Sequence, residues 1–361
     1  MKIFNLSLLF ILFSCPYLAA QEAVEVSDKK KLYLDVENLS FFRNNEYFND
    51  IVEGYTLIGY WLRPALYFRS SSDFSVYAGV HLQKYAGIDD FSEILPVFYV
   101  EYAISKHIKT RLGTLENKEL HALIAPIYQP ERKFTESVEN GLQFLFDFSR
   151  LNAHVWLNWE TFIFHGDSAQ EELSSGVSAR WLLSKAEKKF RVSLPVQFLA
   201  YHKGGQINAG NEPLQTLLNF SGGLSMQYRF DEKKQFEADF HFVKYKDNSP
   251  TPTTVSQAGK GVFIETRLQT KRLLLEINYW RGNDYFSKHG EAIFSSVSTH
   301  KTNYYEKERS LLIPTVKYTK KIGKSCRFTT FASLCYDLNN KNADYSFGLQ
   351  ISWDQRFLLW K

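Results

Sequence analysis

The sequence predicts an all-β protein, a transmembrane antiparallel up-and-down β-barrel of about 16 strands, with 14 as the rival count. Three observations carry this. Long segments alternate apolar and polar side chains with a period of two, which puts one set on each face of a strand. The links between them alternate short and long, as in bacterial outer-membrane barrels with short periplasmic turns and long extracellular loops. Finally, 30 Phe, 21 Tyr and 7 Trp give an aromatic fraction of 16% at a mean hydropathy of only −0.30. Aromatic girdles around a half-polar wall produce that combination.

The clearest unit is 140–164, NGLQFLFDFSRLNAHVWLNWETFIF. Leu142, Phe144, Phe146 and Phe148 alternate with Gln143, Leu145 and Asp147. After Ser149-Arg150 the alternation resumes with Leu151, Ala153, Val155, Leu157 and Trp159 against Asn152, His154, Trp156, Asn158 and Glu160. Such a hairpin exceeds the five or six residues usual for soluble strands and approaches the roughly 9 to 11 tilted residues that cross a bilayer.

In chain order, Met1-Lys2, an apolar run at 3–13 and Ala19-Ala20 before Gln21 have the layout of a secretory signal peptide. The expected organisation is a signal peptide at 1–20 and a single outer-membrane β-barrel domain at 21–361. The LFSC of 12–15 only loosely resembles a lipoprotein box, with Phe13 and Pro16 against it. Strands are expected at 32–42 and 55–68, joined by RNNEYFNDIVEG, then at 74–84, 94–103 and 108–114 with links RSSSD, AGIDD and SKH. The link 115–139 has no period of two. Beyond the hairpin, strands at 175–183, 191–201, 217–230, 236–245, 262–269 and 273–281 precede a second long link, 282–307. Strands at 311–319, 327–336 and 345–353 complete the set. With the N-terminus periplasmic, the short links (RSSSD, SKH, Ser149-Arg150, SKAEKK, DEKK, TKR, KKIGK) fall on the inward set. A sandwich or propeller has no reason to sort link lengths by parity.

Several classes are excluded. No later segment offers the 18 or more consecutive apolar residues of a membrane helix. The net charge of +4, from 43 basic and 39 acidic residues, is dispersed and gives no case for nucleic acid. Cys15 falls within the predicted signal peptide. Cys326 and Cys335, on opposite faces of one strand and roughly 30 Å apart by strand rise, are expected to be free thiols. No metal-ligand spacing is present, and no cofactor is expected.

If the apolar face meets lipid, the other face lines a lumen of mixed sign: Arg63, Glu101, Lys109 and Arg111 in the first strands, His154, Glu160 and Arg180 in the middle, and Glu237, Asp239, Glu265, Arg267 and Glu276 further on. Basic residues facing midplane hydrocarbon would cost about 2 to 4 kcal/mol each. In architecture the link 115–139 resembles the third outward loop of sixteen-stranded general porins, which folds in and narrows the barrel. If it does so here, Glu116, Lys118, Glu119, His121, Glu131, Arg132 and Lys133 would form a constriction opposite Lys109, Arg111 and Arg63. An extracellular cap that never enters the lumen is the alternative.

The signal peptide ending before Gln21, the loop RNNEYFNDIVEGYTLIG and the hairpin containing ENGLQF and LNWETFI resemble a group of porin-like outer-membrane β-barrel proteins of Bacteroidota, over most of the mature chain. The resemblance implies the fold and the outer membrane but no substrate. The chain ends in Trp360-Lys361 rather than the terminal aromatic common in such barrels.

No G-x-S-x-G, H-E-x-x-H, P-loop or G-x-G-x-x-G occurs. His165, Asp167, Ser168, His289 and His300 lie at no catalytic spacing, so the expectation is no enzyme. The expected function is a porin-like channel for small hydrophilic solutes. The alternative is an anchor, secretion or accessory component of an envelope complex, with a barrel enzyme less favoured. Expected partners are outer-membrane lipid and lipopolysaccharide, small hydrophilic solutes, and a homo-oligomer or envelope-complex partner.

Overall fold

A computed structural model describes residues 30–117, 120–205 and 212–360. The predicted signal peptide lies outside the described residues, as do Lys118 and Glu119.

Sixteen strands form one closed antiparallel barrel. They are β1 (Lys31–Glu46), β2 (Tyr55–Arg69), β3 (Phe74–Tyr85), β4 (Glu93–Ser105), β5 (Ile108–Thr114), β6 (Asn140–Asp147), β7 (Leu151–Thr161) and β8 (Glu172–Leu182), followed by β9 (Phe190–Lys203), β10 (Gln215–Arg229), β11 (Gln235–Asp247), β12 (Ala258–Gln269), β13 (Leu273–Asn283), β14 (Glu308–Ile322), β15 (Cys326–Asp337) and β16 (Ala343–Trp360). Each strand pairs with its sequence neighbours, and β1 closes on β16 from Leu32↔Trp360 to Glu46↔Tyr345. Closure leaves no edge, the requirement for a sheet at membrane depth.

The strands match the sequence expectation in number and parity but run further, chiefly at the long-link rim. Strand β16 continues to Trp360, so the aromatic near the terminus belongs to the wall. The parity of link lengths holds with two corrections: on the long-link rim the link 338–342 is itself short, and 86–92 is no longer than the inward link 183–189.

The lipid face is as expected. On β9, Leu194, Val196 and Phe198 point outward while Gln197, Leu199 and Tyr201 are buried inside. The inner face departs from a simple polar lumen. Near the long-link rim it is apolar: Trp156, Leu199, Tyr201, Leu217, Val243, Tyr245, Phe263, Trp280 and Leu311 are inward and buried. The two indoles lie flat against the wall because glycines leave room. A Cβ on Gly176 would come within 2.2 Å of Trp156, and one on Gly261 within 2.3 Å of Trp280.

Candidate functional site

What those inward apolar residues pack against is loop. The link 115–139 (L3) enters the barrel, and Ile124, Ile127 and Tyr128 join one core with Tyr285, Ile293 and Phe294 of the link 284–307 (L7) and Val52 of the first link, 47–54 (L1). Burying each such side chain contributes about 1.5 to 3 kcal/mol, enough to hold a long loop inside. The extracellular-cap alternative is thereby excluded for L3.

Backbone polar groups of L3 that enter a water-poor interior need partners. Gln143 clamps the start of L3, donating to the Glu116 carbonyl and accepting from the Glu116 amide, both at 3.0 Å. Gln197 does the same across the lumen, at the Ala122 carbonyl (3.0 Å) and the Ile124 amide (3.1 Å). Trp61 donates to the Lys133 carbonyl at 3.1 Å and Gln83 to the Phe134 carbonyl at 2.8 Å. L3 and L7 then join through backbone: Glu291 N to Ala125 O at 2.9 Å, and Gln129 N to His289 O at 2.6 Å. L7 in turn holds L1, Thr299 N to Ile51 O at 2.8 Å.

Most of the described residues expected to form a charged constriction are instead held by partners on the wall and in the loops. Arg111 binds Glu101 at 2.6 Å and Glu116 at 3.1 Å, and Lys109 stands 3.7 Å from Glu101. Glu131 is held by Arg43 at 2.7 Å, with Tyr55 donating to it at 2.6 Å. Arg63 faces Glu37 at 3.6 Å and reaches His81 rather than L3 carboxylates. His121 stacks on Trp156 at 4.1 Å and 4°. Its Nε2 meets Glu139, which also accepts from Tyr128. Arg132 donates to Tyr128 at 3.0 Å and sits 3.0 Å from His289, whose other nitrogen lies 2.8 Å from Glu160. Burial raises the Glu139 carboxyl, but the His121 charge and the hydrogen bonds from His121 and Tyr128 outweigh it, leaving the pKa below the ordinary value. Burial, with Glu139 alongside, pushes Tyr128 well up. His154, expected to face water, packs against His121, Trp156 and Gln143 inside this network.

Below the plug a cavity of about 680 Å³ lies in the short-turn half of the barrel, with Lys133, Glu265, Glu276, Glu291 and Lys317 on its walls. Arg180, Arg267, Glu237 and Asp239 form an ionic cluster there, with Arg267 to Asp239 at 2.7 Å and Arg180 to Glu237 at 3.1 Å. Desolvation lowers the Lys133 ammonium to about 8, with Lys317 and Arg43 adding to the effect.

Hydroxyl–imidazole pairs, the minimum for moving a proton in acyl chemistry, occur in three places among the described residues. Ser137 Oγ is 3.3 Å from His81 within the plug, and Ser221 Oγ is 2.9 Å from His241 on the inner wall. The third, His202 Nδ1 to Thr216 Oγ1 at 2.9 Å, joins directly paired residues of β9 and β10. Its neighbours Tyr201 and Leu217 point inward and are buried, so His202 and Thr216 face outward at the long-link rim. Among the described residues no group of three or more His, Cys, Asp or Glu could hold a metal. Sequence reasoning missed the outward pair because its partners are brought together only by strand register.

These features define an outer-membrane, porin-like β-barrel with a filled upper lumen. Residues 24–361 match the family described as Lipid A 3'-O-deacylase-type, and the chain belongs to that family. No curated protein matches it in sequence. Among solved structures it is similar to the outer membrane protein OprD of Pseudomonas aeruginosa (11% identity, TM-score 0.51, covering 90% of this chain and 94% of that one). It is also similar to P. aeruginosa OccK2 (OpdF) in complex with glucuronate (8%, 0.52, 92% and 98%). A third likeness is to a loop L8 deletion mutant of Vibrio cholerae OmpT (8%, 0.54, 90% and 99%). At such identities these likenesses show the fold alone. The family membership corrects the expectation of no enzyme, since the family takes its description from a deacylase. A search for contiguous motifs was blind to this because a barrel assembles a site from neighbouring strands far apart in sequence.

Proposed function

We propose that the protein hydrolyses an ester-linked acyl chain of a lipid A-type glycolipid at the outer leaflet, with His202 and Thr216 as the proton-handling pair. The carrying observation is that, of the three hydroxyl–imidazole pairs, this is the one on the lipid-facing wall at the long-link rim. An ester carbonyl in a glycolipid sits at the headgroup–hydrocarbon boundary, level with such a rim, whereas the pairs inside the barrel are closed off from lipid. Family membership supports the reaction class. In this reading His202 takes the Thr216 proton as Oγ attacks the acyl carbon and gives it to the departing sugar oxygen, leaving the acyl chain esterified to Thr216; a water, deprotonated by His202, then attacks that ester, and the proton returns to Oγ as the fatty acid leaves.

The test is fatty-acid release from bisphosphorylated lipid A by the purified barrel in mixed micelles. His202→Ala and Thr216→Val are expected to lower release at least a hundredfold, Thr216→Ser to retain much of it, and Ser221→Ala to leave it unchanged. Full release by His202→Ala would overturn the assignment.

A second reading, a solute channel, is favoured by the charged cavity below the plug. It predicts stable conductance steps in planar bilayers and no fatty-acid release. The resemblance to porin-like barrels of Bacteroidota is compatible with either reading.

A further inference from the structure

The outer wall beside His202 and Thr216 carries an arrangement that costs energy unless an anion is present. Strand register sets Phe198, Phe220, Lys244, Lys260 and Asn283 in one row across β9 to β13. All face outward, since Val243, Tyr245, Gly261 and Gly282 between them point into the barrel and are buried. Lys244 and Lys260 are therefore directly opposed on adjacent strands, a pairing of like charges that destabilises a sheet. Lys246 stands one position closer to the rim on the same face, opposite Ala258, and Arg281 projects outward from β13 opposite Val262.

Nothing acidic relieves this cluster. Among the described residues Lys244, Lys246, Lys260 and Arg281 make no ion pair. The nearest carboxylate by register, Glu308, faces Asn283 and accepts its hydrogen bond. The undescribed part of the neighbouring loop, QINAGN at 206–211, contains no acid. The concentration is also local. Elsewhere on this rim the outward positions are residues such as Ile58, Leu82, Ile94, Leu142 and Trp159, and the basic exception, Lys84, is occupied, donating to the Asp89 carbonyl at 2.7 Å.

Between the lysines lies a groove of about 530 Å³ floored by Phe198, Leu218 and Phe220. The small Ala258 leaves it open. The Lys244 ammonium lies over the Phe242 ring at 5.6 Å, a cation set against apolar surface. Charged heads above an apolar floor suit a molecule with anionic groups at headgroup depth and hydrocarbon beneath.

We infer that Lys244, Lys246, Lys260 and Arg281 form a binding site for the phosphate groups of a phosphorylated glycolipid of the outer leaflet, whose acyl chains run down the Phe198–Phe220–Phe242 surface. The choice of a lipid A-type glycolipid rests on the acyl-ester reading above, while the requirement for a phosphate-bearing lipid rests on the charge and the groove. Thr216 and Lys246 lie on adjacent strands at neighbouring levels, Leu218 opposite Lys246. A lipid held by its phosphates on β11 and β12 thus presents its upper chains to β9 and β10.

The test is native mass spectrometry of the purified full barrel with bisphosphorylated lipid A, with lipid A enzymatically stripped of phosphate, and with phosphatidylglycerol. Comparison is with Lys244→Gln/Lys246→Gln/Lys260→Gln and with the control Lys84→Gln. Retained heat-modifiable migration reports folding. The site predicts at least tenfold weaker retention of bisphosphorylated lipid A by the triple variant, equally weak retention of stripped lipid A by the unmodified protein, and no change for Lys84→Gln. Equal retention by triple variant and parent overturns the site. Phosphatidylglycerol retained as tightly as bisphosphorylated lipid A overturns the glycolipid as occupant. Because binding is read without turnover, phosphate-dependent retention with no fatty-acid release leaves this site standing while the hydrolase reading falls.

Discussion

At the scale of single residues, Glu139 is the centre of the filled lumen. It takes His121 and Tyr128 at once, and through Tyr128 it is tied to Arg132 and His289. Removing one partner of a buried charged pair leaves the other uncompensated, at a cost of about 3 to 5 kcal/mol. Glu139→Gln should therefore lower the temperature at which the heat-modifiable form is lost, and His121→Ala should do so less than additively in the double variant. The sign with pH follows from the lowered carboxyl pKa. The stabilisation is complete above the ordinary carboxylate range and disappears as pH falls through the lower folded value. An acid-induced loss of folded form that persists unchanged in Glu139→Gln would count against this. The sequence showed His154 on the inner face by parity, but not that it packs against His121. Alternation reports which side a residue takes and says nothing of what fills that side.

At the scale of elements, L3 and L7 act as one body. Deleting 120–133 removes the strand-to-strand span held by Gln197 and Trp61, and planar-bilayer recordings should show conductance rising from near zero to large, open steps. Equal conductance before and after deletion would mean the plug does not seal. Glu291, where L7 meets L3, has its carboxyl raised to about 7, first by burial, opposed by Arg43 and reinforced by Glu131 and Glu276. The fold prefers the protonated form, so the plug loses stability as pH rises from the ordinary carboxylate value, 4.5, through 7. The whole effect is no more than about 3 kcal/mol. The thermal midpoint should fall across this window in the parent and flatten in Glu291→Gln. Sequence reasoning picked out the length of L3 and its lack of a period of two, and set it beside a porin constriction loop. The matching signal on the wall went unused: Trp156, Leu199, Tyr201, Leu217, Val243, Phe263 and Trp280 are apolar at the parity that should be polar in an aqueous channel. Those residues mark a packed interior.

At the scale of the whole molecule, strand number, closure and face assignment were legible because period and link parity repeat along the entire chain, so errors at individual ends do not propagate. The outward-facing groupings were not legible, because strand register joins His202 to Thr216 and Lys244 to Lys260 across loops that carry no signature. The face assignment predicts that Val155→Asp on the lipid side impairs assembly, at up to about 2 to 4 kcal/mol for a midplane charge. Asn152→Asp, on the exposed inner wall, should assemble normally. Outer-membrane yield of folded protein checks both, and equal yields would reverse the assignment.

A barrel whose upper lumen is solid protein has moved its working surface to its circumference. If the His202 and Lys244 face is that surface, its reactant arrives by lateral diffusion within a leaflet, already oriented and never crossing bulk water. Rate would then follow the mole fraction of the glycolipid in the membrane and the packing of its neighbours. Diluting the vesicles in buffer would change little, whereas diluting the glycolipid with inert lipid at constant vesicle number would slow turnover in proportion.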